Sequence, residues 1–129
     1  SLPMLQGKES TGANSIAIRN KKNWMIVGGD FYTKDSSTGN CAITTDGGKS
    51  FVKPIVPPHG YRSCVEYIAK DTWITCGING VDITLDGGQH FQWIAKDTYN
   101  VCRKAKKGSA IYFAGNGKIG RYINEKAPE

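Results

Sequence analysis

Thr44-Thr45-Asp46-Gly47-Gly48-Lys49-Ser50-Phe51 returns along the chain as Thr84-Leu85-Asp86-Gly87-Gly88-Gln89-His90-Phe91. Asp46 and Asp86 stand 40 residues apart. A fixed period of about 20–50 residues marks one supersecondary unit stacked several times. In each copy a strand end leads to an Asp, two glycines, two polar residues and an aromatic. Asp-Gly between alternating apolar runs signals a hairpin. The carboxylate can accept hydrogen bonds from N–H groups of the turn ahead of it, and the glycines supply φ > 0 without steric cost. Phe51 and Phe91 then open the next strand. Turn chemistry accounts for every residue type, so Asp46 and Asp86 read as structural and not as catalytic carboxylates.

The repeat extends outward from these turns. Trp24–Gly29, Trp73–Gly77 and Ile111–Gly115 are three versions of one strand running into glycine. Each follows a short alternating segment, at Ser15–Ile18, Ser63–Ile68 and Asn100–Lys104. Each precedes another short strand, at Cys41–Thr44, Val81–Thr84 and Ile119–Ile123. Cys64 and Cys102 are 38 residues apart, as are Gly77 and Gly115, which makes Arg103 the counterpart of Val65. Asp30–Asn40 is an insertion in the first unit. No stretch carries a useful helical period. Four short strands joined by tight turns, about 40 residues per unit, are the signature of a propeller blade. The expected fold is therefore all-β, a partial β-propeller of about three four-stranded blades. Residues 1–13 are an outer strand (Leu2–Gln6) and a connector, 14–57 blade 1, 58–97 blade 2, 98–124 an incomplete blade 3, and 125–129 a tail. Three blades do not close a ring, which typically takes about four to eight. Either a second copy closes it as a homodimer, or upstream blades are missing; the latter is the favoured expectation.

The repeated turn resembles the Asp box of bacterial neuraminidase repeats. The match runs through Thr44, Asp46, Gly48 and Phe51, and through Thr84, Asp86, Gly88 and Phe91, with His90 where Ser or Thr is usual. In that family the box is structural and joins the third and fourth strands of a propeller blade. The segments Gln6–Ser15 (QGKESTGANS) and Pro58–Tyr67 (PHGYRSCVEY) are similar to the C-terminal half of bacterial propellers of the photosystem II stability/assembly factor type. That resemblance implies a binding or assembly role and a periplasmic or extracellular location, although no signal peptide is read in this chain. Some members of that family carry an oxidoreductase label, but nothing in these residues supports a redox cofactor.

Composition narrows the partners. Lys plus Arg number 17 against 11 Asp plus Glu, a formal net charge of +6. The densest cluster is Arg103, Lys104, Lys106 and Lys107. A patch for anionic polymers is one reading; a solvated hairpin turn is the simpler one. No recognisable nucleic-acid module accompanies it, so no nucleic-acid partner is expected. No apolar run approaches transmembrane length. Cys41, Cys64, Cys76 and Cys102 form no C-x-x-C pair, which argues against zinc. Cys64 and Cys76 face each other across one expected hairpin, so a disulfide is open to them, but buried free thiols are the plainer expectation.

Gly115–Gly120 spells G-x-G-x-x-G, yet no helix or second strand has room to follow it, so it reads as a hairpin and not as a dinucleotide site. Asp30, Asp35, Ser36, Ser37 and Asn40 are oxygen-rich without calcium-loop spacing. His59 and His90 are too few for a metal argument, and neither a metal nor a cofactor is expected. The best candidate ligand site is His59, Tyr61, Arg62 and Glu66, at the start of the innermost strand of blade 2, joined by Arg103. Guanidinium forks match carboxylates; strand-end salt bridges are the structural alternative. Two functions follow. The first is a non-enzymatic scaffold presenting an axial face to a protein or carbohydrate ligand. The alternative is a sialidase-like glycoside hydrolase, which by that family's pattern needs converging arginines, a Tyr nucleophile and acidic helpers.

Overall fold

The apolar runs that end in glycine form the middle of three sheets. The structure is a computed structural model describing residues 2–123. The first sheet is β1 (Thr11–Ile18), β2 (Trp24–Asp30) and β3 (Cys41–Thr44). The second is β4 (Cys64–Ala69), β5 (Thr72–Gly77), β6 (Gly80–Thr84) and β7 (Phe91–Ala95). The third is β8 (Val101–Lys104), β9 (Ala110–Gly115) and β10 (Lys118–Ile123). Each sheet is an antiparallel meander in sequence order. The first strands lie side by side, β1 against β4 and β4 against β8. Successive meanders with adjacent first strands are propeller blades around an axis. The fold is all-β, a partial propeller of three blades. Among the described residues no helix is long and apolar enough to cross a membrane.

The glycines mark crossings. A Cβ on Gly77 would lie 2.1 Å from the Tyr61 carbonyl oxygen, and one on Gly28 would lie 1.9 Å from that of Gly12. The chain entering each blade passes directly over the end of the second strand, and only glycine leaves room for it.

Two cores lie between blades. Met25, Val27, Cys41 and Ile43 of blade 1 meet Val65, Trp73 and Phe91 of blade 2. Ile68, Ile74, Cys76 and Ile83 of blade 2 meet Cys102, Ile111, Phe113 and Tyr99 of blade 3. All four cysteines are buried free thiols, and Cys64 stands in register with Cys76.

Among the described residues, only the second blade has four full strands. In the first, Val52 makes a single bridge, exchanging backbone hydrogen bonds of 2.8 and 2.9 Å with Ile43. Pro54 then follows, without an N–H to continue the ladder. The chain crosses instead to blade 2, where Val56 pairs with His90 in a parallel bridge and accepts the Phe91 N–H at 2.8 Å. The outer strand expected over Leu2–Gln6 does not form. That segment is irregular, and the Leu5 N–H donates to the Gly39 carbonyl at 3.0 Å. Asp30–Asn40 holds a short 3-10 turn, Phe31–Thr33, capped by the Asp30 carboxylate.

Candidate functional site

Both repeated turns use the same hydrogen bonds. The Thr44 hydroxyl donates to Asp46 at 2.8 Å and accepts the Gly48 N–H at 2.9 Å, while the Ser50 N–H donates to Asp46 at 2.9 Å. Thr84, Asp86, Gly88 and His90 repeat the pattern at 2.9, 3.0 and 2.9 Å. The His90 ring takes the place of the Ser50 hydroxyl, 2.7 Å from Asp86. The Ser50 hydroxyl and N–H, with the Thr44 hydroxyl, pull the Asp46 carboxyl down to about 2. Burial pushes Asp86 up, but the His90 N–H and ring and the Thr84 hydroxyl outweigh it and leave it lowered.

At the opposite end of the blades, Arg62 is wholly buried. Its Nε donates to Asp82 Oδ2 at 2.9 Å, and its Nη2 forms an ion pair with the same oxygen. Its Nη1 donates to Asn79 at 2.6 Å and to the Tyr61 carbonyl at 3.0 Å. The His59 N–H also donates to Asp82, at 3.0 Å. Asn79 in turn donates to the His59 carbonyl at 2.7 Å and to Asp35 at 2.8 Å. The network clamps the insertion of blade 1 and the loop before β4 onto β6. Every nitrogen of the Arg62 guanidinium is engaged inside the protein, so it presents no face to solvent.

The side chains above this clamp are aromatic. His59 is exposed and stacks on Trp93, with centroids 3.8 Å apart and planes at 14°. Tyr61 meets Phe31 edge-on at 5.5 Å. Phe31 and its neighbour Tyr32 are 51% and 76% exposed.

Glu66 and Arg103 lie on the inner seam. An edge strand leaves backbone groups unpaired, and here side chains of the preceding blade reach them. Ser15 accepts the Val65 N–H at 3.2 Å, and Asn14, at a register shift in β1, donates to the Arg62 carbonyl at 2.9 Å. Glu66 accepts the Lys104 N–H at 2.8 Å. Arg103 Nη1 reaches the Cys102 carbonyl at 3.0 Å and the Cys64 sulfur at 3.5 Å. The Cys102 thiol, together with Arg103, holds the Cys64 thiol below its ordinary value.

Pairing corrects one alignment. Arg103 pairs with Tyr112 as Glu66 pairs with Ile74, so Arg103 repeats the position of Glu66 and not of Val65. A slip of one residue changes the face of a strand. Val65 is buried toward blade 1, whereas Arg103 is exposed and alternates with Cys102, which is buried toward blade 2. Arg103 stands in a row with Tyr112 and Arg121. Sequence reasoning missed that row because it depends on the register of three strands.

The four arginines therefore fall in three places: Arg19 pairs with Asp71, Arg62 with Asp82, and Arg103 and Arg121 flank Tyr112. Among the described residues no three His, Cys, Asp or Glu side chains are grouped to hold a metal ion.

No family model matches the chain, and no curated protein matches it. Among solved structures it is similar to YCF48 bound to D1 peptide, at 12% identity and a TM-score of 0.48. The alignment covers 98% of this chain and 58% of that one, so the chain spans less than two thirds of its length.

Proposed function

We propose that the chain is a non-enzymatic binding or assembly scaffold of the Asp-box propeller type, which presents to a protein partner the end where β1, β4 and β8 begin. The observation that carries this reading is the pair Phe31 and Tyr32, left exposed at that end and braced by Tyr61. Aromatic side chains on a rigid support are the usual anchors of protein interfaces. The buried Arg62–Asp82–Asn79 network supplies the rigidity. By the resemblance of its repeats, the protein works in the periplasm or outside the cell, and its ring is completed by a second copy or by further blades.

A photo-crosslinking residue at position 32, used in the native host, tests the reading. One discrete protein adduct that disappears in Phe31→Ala supports it. Adducts no different from those at position 49, at the other end of the blades, or turnover of a glycoside panel by the intact chain, would overturn it.

A further inference from the structure

A cleft of about 210 Å³ opens between blades 1 and 2 beside the Asp86 turn, at the end away from Phe31 and Tyr32. Trp24, Trp73 and Ile43 form its apolar lining. Around them stand Arg19, Asp71, Asn23 and Gln89. Arg19 Nη1 lies 3.5 Å from Asp71 Oδ1, so the two charges largely compensate each other. The remaining carboxylate, Asp86, is occupied by Thr84 and His90. The Asn23 amide nitrogen is tied to Asn20 at 2.9 Å, which leaves its carbonyl oxygen for another donor. Trp24 is fixed in turn: its Nε1 donates to the Lys21 carbonyl at 3.0 Å, and its ring lies over Gly48.

We propose that this cleft binds one neutral sugar ring. The volume holds on the order of a dozen non-hydrogen atoms at the packing density of protein interiors, about the size of a hexose. A pyranose has a face of C–H groups that suits the electron-rich face of an indole, and a rim of hydroxyls that both donate and accept. Arg19 offers donors, Asp71 acceptors, and the Gln89 amide both, which matches a polyol. A compensated pair favours a neutral ligand over an anionic one. Few convergent polar groups in an apolar-lined cleft between structural units is the usual form of a small-molecule site. The inference is independent of the protein-binding face.

The experiment is a titration of tryptophan emission, with ligand-observed NMR, using free hexoses, their methyl glycosides and N-acetylneuraminic acid. The expected result is saturable binding of a neutral sugar, weakened about tenfold or more in Asp71→Ala and in Gln89→Ala and unchanged in Phe31→Ala. Asp71 and Gln89 are exposed, so both variants should keep the parent melting midpoint. Methyl glycosides binding as well as free hexoses would identify glycan ends as the source; preference for the free sugar would identify a monosaccharide. No saturable response to any neutral sugar, undiminished binding in both variants, or tighter binding of N-acetylneuraminic acid would overturn the proposal.

Discussion

Arg62, wholly buried, ties the loop before β4 to β6. Its charge is compensated by Asp82 and by the carbonyl groups of Tyr61 and Asn79. Breaking a buried pair from one side strands the other charge, at about 3–5 kcal/mol. Arg62→Met should lower stability by about that amount in urea unfolding, and Arg62→Met with Asp82→Leu should recover much of it. A fully additive double variant would show that the two residues do not act as a pair. Asp46 gives a pH signature. Its value is depressed in the folded state, so its stabilisation is complete above the ordinary carboxylate value of 3.8 and is lost as pH falls through about 2. Melting midpoints measured from pH 5 to pH 2 should fall more steeply in the parent than in Asp46→Asn. The ligand role foreseen for Arg62 turned on its place before an inner strand. That place was legible, but its burial was not, because Asp82 and Asn79 are distant in sequence and meet it only through the pairing of β4, β5 and β6.

Strands and their order were readable because apolar alternation and terminal glycines recur with the repeat. The glycines have a steric cause that supports a prediction. Gly77→Ala would push against the Tyr61 carbonyl, an acceptor for Arg62. Overpacking typically costs about 1–3 kcal/mol. The variant should melt lower and should change the emission of Trp93, whose stacking partner His59 sits on the displaced loop; an unchanged midpoint would mean that the crossing tolerates a side chain. Where the repeat is broken, the sequence misled. Cys64 and Cys102 suggested a register that the pairing of Arg103 with Tyr112 replaces. Pro54 ends the fourth strand of blade 1 after one bridge. Leu2–Gln6 had strand-like residues, but Leu5 bonds instead to Gly39 in the insertion of blade 1.

Across the whole molecule, stability resides in the two cores between blades, and thiols are part of both. Burial, with the charge of Asp82 adding to it, pushes the Cys41 thiol well above its ordinary value of 9.0. A raised folded value means that this stabilisation is complete below 9.0 and is lost as pH rises beyond it. Urea midpoints should therefore decline above about pH 9, and decline less in Cys41→Ala; equal slopes would assign the alkaline loss to other groups. Between Val52 and Val56 the polypeptide leaves the edge of the first blade and ties down the turn of the second. The segment that repeats in sequence is thus out of phase with the segment that folds as a unit. A gene fragment beginning at Pro58 would encode all of β4 to β7 and still lack the bridge from Val56 to the start of β7, whereas one beginning at Phe51 would carry it. Modular recombination of these blades should succeed only with the second boundary.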